Sequence, residues 1–188
     1  MGEIQLTPLS PLGGADIKLG ANQIRERTDL ALVSIAVPLG GEETLAAALS
    51  SGWGLALPSP TVSTINEEIC ALRLTPDQIM LAFPDPAADA DKTVGRVLAG
   101  TGYTSLQTDA WVILEISGPD TRGALERLCP IDIHETAFPT NAAARTTMEH
   151  MSAILIRLGM DRFMLMSASS SARSFLHAVE TSFRFVLP

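Results

Sequence analysis

Lysine and cysteine are both nearly missing from this 188-residue chain: Lys18 and Lys92 are its two lysines, Cys70 and Cys129 its two cysteines. Two cysteines close one disulfide at most, which excludes a small fold stapled by several bridges. Aromatic residues make up 5% and charged residues 18%, with a formal net charge of -8 and a pI of about 4.8. That balance argues against a phosphate backbone or an anionic membrane as partner. The positive charge is almost all arginine, whose planar, weakly hydrated fork suits ion pairs in interfaces and hints at a protein partner. No apolar run reaches the roughly 20 residues of a membrane helix. The start, MGEIQLTPLSPLGG, lacks the basic and apolar regions of a signal peptide, so the expected compartment is the cytoplasm with both thiols reduced. What the chain has in quantity is apolar residues, 46% hydrophobic at a mean hydropathy of +0.24. That is enough for the core of one domain or of two small fused ones.

Residues 1–28 carry Pro8, Pro11 and Gly13-Gly14 without sustained periodicity, the pattern of an extended arm of the kind that lies on a partner. From Leu30 the chain is regular. LALVSIAV (30–37), ended by Pro38 and Gly40-Gly41, is a continuous apolar run and predicts a buried strand. EETLAAALSS (42–51) predicts a helix closed by Gly52. TINEEICALRL (64–74) and QIMLAF (78–83) flank Thr75-Pro76-Asp77, which predicts a hairpin. Ala90, Val94 and Val97 at i, i+4 and i+7 predict a helix over 87–99 ended by Gly100.

The second half repeats the order over residues 109–188, as the first does over 29–108. WVILEI (111–116) predicts a strand, and Thr121, Leu125 and Leu128 share one face of the helix after Pro119. SAILIRL and RFMLM form a hairpin around Gly159-Met160-Asp161. Ala172, Leu176, Val179 and Phe183 stripe the last helix, leaving Arg173, His177, Glu180 and Arg184 as its solvent or partner face. SASSS supplies hydroxyls to cap it. The offset between halves is 119 minus 38, or 81, at the prolines, and 161 minus 77, or 84, at the turn aspartates. RLTPDQIML beside RLGMDRFML shows the match. Each half reads β-α-β-β-α, with YTSLQ (103–107) as a closing strand in the first. The expected fold is α+β: two tandem ferredoxin-like, split βαβ units packed as an intrachain pseudo-dimer.

Candidate sites cluster in SGPDTRGALERLCPIDIHETAFP (117–139). As a phosphate loop it fails, because one glycine followed by proline cannot bring a backbone round phosphates, and Asp120 would repel an anion. Asp132, His134 and Glu135 are too few for a zinc site, and neither Glu149-His150 nor His177 has a helical zinc spacing. Cys129, at a helix end before Pro130, faces carbonyls that raise a thiol pKa, and no GxSxG elbow is present. The run Ser167 to Ser171, interrupted by Ala168, is explained by capping. The methionines at 148, 151, 160, 164 and 166 fit core filling better than a groove. No catalytic, cofactor-binding or metal residue emerges. Arg173, His177 and Arg184 remain as a possible subunit interface.

The run ISGPDTRGALERLCPIDIHETAFP, then ARTTMEHMSAILIRL and DRFMLMSASSSARSFLHAVE, resembles the gamma subunits of heterotetrameric sarcosine oxidases and related N-methyl amino acid dehydrogenases. The resemblance extends from about Ser10-Pro11-Leu12 to the last helix. The outline is also similar to the folate-binding aminomethyltransferases, here without their C-terminal barrel. The resemblance implies a non-catalytic structural subunit of a complex that oxidatively demethylates sarcosine to glycine and passes the methyl carbon to tetrahydrofolate. FAD, FMN, NAD, zinc and tetrahydrofolate are then expected in other subunits and none in this chain. The expected partners are alpha, beta and delta subunits, with alpha in direct contact, and neither nucleic acid nor membrane. Ile156 stands before Arg157 where family members often have tryptophan, which leaves N-methylglutamate or another N-methyl amine open as substrate. A stand-alone folate-binding protein and a ferredoxin-like regulatory domain with a small molecule between its halves are the alternatives from other classes.

Overall fold

The computed structural model describes residues 9–67, 69–85 and 89–187. In chain order its elements are strands β1 (Asp16–Leu19), β2 (Asn22–Glu26) and β3 (Leu30–Ala36), helix α1 (Glu42–Trp53), strands β4 (Thr64–Asn66), β5 (Ile69–Thr75) and β6 (Gln78–Pro84), helix α2 (Ala90–Leu98) and strand β7 (Tyr103–Leu106). Strand β8 (Trp111–Ser117), helix α3 (Thr121–Glu126), strands β9 (Ala143–Met148), β10 (Met151–Gly159) and β11 (Arg162–Ala168) and helix α4 (Ala172–Val186) follow.

Two antiparallel sheets result, ordered β4-β5-β6-β3-β7 and β1-β2-β8-β11-β10-β9. Within each lies the split βαβ order, β5-β6-β3-β7 in one and β10-β11-β8-β2 in the other. The first half closes its own sheet with β7, as YTSLQ suggests. The second half ends in a helix and has no strand of its own for that place, so β2 occupies it, pairing with β8 from Gln23↔Ser117 to Glu26↔Leu114. Residues 16–26, which the sequence suggested as part of an extended arm, therefore form a hairpin inside the second sheet. Each strand has four or five residues, too few for an alternation to show, and Ile24 alone carries the fully buried anchor. Residues 1–8 of that arm lie outside the described ones.

Period-two alternation sorts the side chains into three layers. Ala31, Val33 and Ile35 of β3 face α1 and α2, together with Ile79 and Leu81 of β6. Val112, Leu114, Phe163 and Leu165 face α3 and α4. The intervening residues Leu30, Leu32, Leu72 and Met80 meet Ile113, Ile154, Ile156, Met164 and Met166 between the sheets. Each such side chain, removed from water, contributes about 1.5–3 kcal/mol. The two sheets thus bury one face on helices and the other on each other, as two packed ferredoxin-like units must.

Local departures from the expectations have simple causes. Helix α1 runs through Gly52 to Trp53 and ends at Gly54 in the left-handed region, because a Cβ at Gly52 would stand 2.3 Å from Val97 Cγ1: that glycine serves close helix packing, and Gly54 the cap. The single strand expected over 64–74 is broken at Glu67, which has φ 53. Helix α2 runs over Ala90–Leu98, and residues 87 and 88 of the helix expected over 87–99 lie outside the described ones. Strand β9 was not foreseen. Its turn into β10 is Glu149-His150, both at positive φ, the two-residue mirror-image turn whose twist suits a hairpin. On α4 the buried stripe is Ala172, Phe175, Val179 and Phe183, with Leu176 half-buried. Ser171 precedes α4 without a side-chain cap, its hydroxyl donating instead to the Ala168 carbonyl at 3.0 Å.

Candidate functional site

The Gly118-Pro119-Asp120 turn is occupied by the chain itself. Asn22, at the start of β2, accepts the Asp120 N–H at 3.0 Å through Oδ1. Its Nδ2 donates to Asp120 Oδ2 at 2.9 Å and to the Leu19 carbonyl at 3.1 Å. Gly118 sits at φ 123, and a Cβ there would lie 2.5 Å from Asn22 Oδ1 and 2.8 Å from the Ala21 carbonyl, so only glycine fits. The place where an anion would sit holds a carboxamide. Asn22 was missed in the sequence, where its signal is an asparagine directly after Gly20-Ala21, the tip of the β1–β2 hairpin.

Asp132, His134 and Glu135 lie in an irregular loop, not on a strand. Asp132 Oδ1 accepts the His134 N–H at 2.9 Å, and His134 Nδ1 lies 2.9 Å from the Thr136 hydroxyl. Among the described residues, no three His, Cys, Asp or Glu side chains gather as metal ligands. Both thiols are free and buried. Burial pushes Cys70 from 9.0 to about 12, slightly opposed by a hydrogen bond with Ser63. Cys129 is pushed up as the sequence suggested, but chiefly by burial. Of the five methionines between residues 148 and 166, Met148, Met164 and Met166 are core and Met160 is exposed.

Two arginines hold equivalent places in the two halves. Arg73 Nη1 donates to the Pro76 carbonyl at 2.5 Å and Nε to the Pro58 carbonyl at 3.0 Å. Arg157 Nη1 donates to the Met160 carbonyl at 2.7 Å and Nη2 to the Ile133 carbonyl at 2.5 Å. Each clamps the bulged hairpin that follows it to an earlier loop. Arg73 also meets Glu42 at 2.9 Å. The residue 81 positions after Glu42 is Gly123 (123 minus 42), so Arg157 has no such acid, and its Nε is without a partner. It lies 4.5 Å from the centroid of the Phe163 ring, and burial lowers its pKa, partly offset by Glu135 and Asp161. Sequence alone could have flagged it as a charge in the apolar run AILIRL.

Glu26, 4% exposed, gathers the segment before β1: Ser10 Oγ donates to it at 2.9 Å, and the N–H groups of Leu12 and Gly14 at 3.1 and 2.7 Å. Next to it Arg27 bridges Asp29 at 2.8 Å and Glu115 at 2.7 Å, tying β8 to the start of β3. That pairing raises the Arg27 pKa and lowers that of Asp29. The interface candidates Arg173, His177 and Arg184 are all exposed on α4, with Arg184 paired to Glu180 at 2.5 Å. Beside them Arg127 stacks 4.9 Å above the ring of Phe185, which is 68% exposed.

Between the halves runs a groove of about 540 Å³, walled by Leu57, Pro58, Leu72 and Ile154 with Arg73 and Arg145 at its rim. At the other end of the sheet seam a cavity of about 820 Å³ lies under Ser10, Glu26, Asp109 and Trp111. No helix among the described residues is long and apolar enough to cross a membrane.

No family model matches the chain. The sarcosine oxidase gamma subunit of Corynebacterium sp. (strain P-1) is 30% identical to it over 160 residues, which are 84% of this chain and 78% of that one. Among solved structures, the heterotetrameric sarcosine oxidase from Corynebacterium sp. U-96, in complex with pyrrole 2-carboxylate, shares the fold over 90% of this chain and 87% of its own, with a TM-score of 0.77 and 22% identity. Aminomethyltransferase T of the glycine cleavage system from Bartonella henselae matches 82% of this chain at a TM-score of 0.55 and 14% identity, and this chain spans 44% of its length.

Proposed function

Because the chain belongs to the family of sarcosine oxidase gamma subunits, we propose that it is the non-catalytic structural subunit of a heterotetrameric flavin-dependent sarcosine oxidase. The observation that carries this is the likeness to a gamma subunit over 84% of the chain, through both halves. The local chemistry supports it: the Gly118-Pro119-Asp120 turn is filled by Asn22, and both thiols are buried. On this reading the complex works in the cytoplasm and oxidises sarcosine to glycine. Its FAD, FMN, NAD and zinc, and the tetrahydrofolate that takes the methyl carbon, are held by the alpha, beta and delta chains. Residues 29–108 and 109–188 act as two repeats of one rigid body, and α4, through Arg173, His177 and Arg184, contacts alpha.

Co-expression with the products of the neighbouring genes tests the reading. The chain alone is expected to be colourless and the co-purified complex yellow, oxidising sarcosine faster than N-methylglutamate. Flavin bound to the isolated chain, or no flavoprotein partner, contradicts it. The reverse substrate preference would keep the subunit role and change the substrate. Charge reversal at Arg173 and Arg184 is expected to weaken assembly, and unchanged assembly would remove α4 from the contact.

A further inference from the structure

Four strands lie at sheet edges, β1 and β9 in one sheet and β4 and β7 in the other. With six residues β9 is the longest of them; the others have four, three and four. Its register with β10, Met148↔Met151 across a two-residue turn, decides which main-chain groups point outward, because neighbouring residues of an antiparallel strand alternate in direction. Residues 144, 146 and 148 bond to β10, while Ala143, Arg145 and Thr147 present N–H and C=O to the free edge.

The near end of that edge is already paired. Ala143 N–H donates to the Thr61 carbonyl at 2.9 Å, and Ser63 N–H to the Asn141 carbonyl at 2.8 Å, with Val62 bridging Ala142. Residues 61–63 of the first half thus form a short added strand, antiparallel to the second half's edge, and the chain before Thr61 bends away at Ser59 and does not continue it along β9. The next rungs, Arg145 and Thr147, have no backbone hydrogen-bond partner among the described residues; the Thr147 carbonyl has a 3.4 Å contact from its neighbour's hydroxyl on Thr146. Arg145 is exposed and donates to the Leu74 carbonyl at 3.2 Å, but forms no ion pair with a carboxylate among the described residues. Two grooves adjoin the edge and share Arg145 and Ile154 in their walls, the 540 Å³ one reaching Leu57 and one of about 410 Å³ reaching Trp111 and Pro130. An edge of this length is ordinarily shielded by several charges, a proline or a covering loop. Here Arg145 stands alone past the loop, which covers one of the three outward rungs.

We propose that the free edge of β9 receives an extended segment of a partner subunit as a seventh strand, in line with Thr61–Ser63, with a carboxylate of that segment paired to Arg145 and its apolar side chains in the adjoining grooves. The proposal rests on the subunit reading, since it requires a partner chain. Thr147→Pro removes an outward N–H and leaves the β9–β10 ladder complete, whereas Thr146→Pro removes a ladder donor and serves as the folding control. Arg145→Glu reverses the charge.

Full-length chains are co-expressed with the products of the neighbouring genes, and amide exchange at Arg145 and Thr147 is compared between the chain alone and the complex. Both amides are expected to slow by about tenfold or more in the complex. Thr147→Pro and Arg145→Glu are each expected to lower the affinity for the partner chains by about tenfold while the unfolding midpoint of the chain alone stays unchanged. Thr146→Pro lowers that midpoint. Wild-type assembly by Thr147→Pro, or equal exchange in the two states, overturns the proposal and leaves the subunit reading intact. A wild-type chain that joins no complex overturns both. Protection of the same amides in a dimer of the chain alone overturns it in favour of a second copy as occupant.

Discussion

At the scale of single residues, the stability of the second half depends on a contact between residues 98 positions apart, Asn22 and Asp120. Asn22→Ala takes the side-chain acceptor from the Asp120 N–H and the side-chain donor from the Leu19 carbonyl in a part-buried place, and is expected to cost about 1–3 kcal/mol, read by urea denaturation of the chain. Gly118→Ala forces a side chain into a φ of 123 against Ala21 and Asn22, and is expected to cost at least about 1–3 kcal/mol. The Gly118-Pro119-Asp120 turn was legible in the sequence as a turn, from its single glycine and its proline; what fills it was not, since no local rule links positions 22 and 120. The thiols give a prediction with a fixed sign. Cys70 is raised from 9.0 to about 12, so the folded state holds the proton more tightly than the unfolded one. Its contribution is complete below pH 9 and is lost as pH climbs from 9 toward 12, at up to about 1.4 kcal/mol per pH unit. Denaturation at pH 8 and 10.5 should show a steeper loss for the wild type than for Cys70→Ala. Equal slopes would contradict the assignment.

At the scale of elements, the strands and helices with long apolar patterns were legible and the short ones were not. LALVSIAV and WVILEI became β3 and β8 almost residue for residue, because a strand buried on both faces is an unbroken apolar run. Strands β1 and β2 escaped because they are short, and β9 because it carries Arg145, Thr146 and Thr147 on an edge in place of an apolar run. The arm was misread over residues 16–26 for a physical reason: a hairpin whose value lies in a strand that begins 85 residues further on (111 minus 26) leaves no local mark. Removing residues 1–28 is expected to uncover the edge of β8 and the cavity left by Ile24, so that the shortened chain elutes from a sizing column as aggregate. A monomeric product with native circular dichroism would show that β2 is dispensable. The clamps of Arg73 and Arg157 were half legible. Their matching positions appear in RLTPDQIML and RLGMDRFML, but the carbonyls they hold lie 15 and 24 residues upstream in loops no periodicity could place.

At the scale of the whole molecule, the duplication and the packing of two sheets were legible from the repeated order and from the 81-residue offset at Pro38 and Pro119, while the crossing of the N-terminal hairpin into the second sheet was not. The two halves share the layer of Leu32, Met80, Ile156 and Met166, which neither can bury alone, so unfolding is expected to be one transition. Trp53 packs in the first half and Trp111 at the seam. Variants keeping one tryptophan each should report the same midpoint, and separated midpoints would show independent halves. Ile156→Ala, at the centre of the seam, is expected to lower both midpoints together, for a loss of stability of about 2–5 kcal/mol. The borrowed strand also sets a schedule. Residues 22–26 leave the ribosome before the four strands β8 to β11 of the sheet they complete, and β8 is whole only after 91 further residues (117 minus 26). At about 5–20 residues per second the hairpin waits roughly 5–20 s for its neighbour, long enough for the first half to fold around an unclaimed edge. Slowing translation between residues 30 and 110 should therefore lower soluble yield of this chain more than the same delay placed after residue 168, with chaperones that hold nascent strands narrowing the difference.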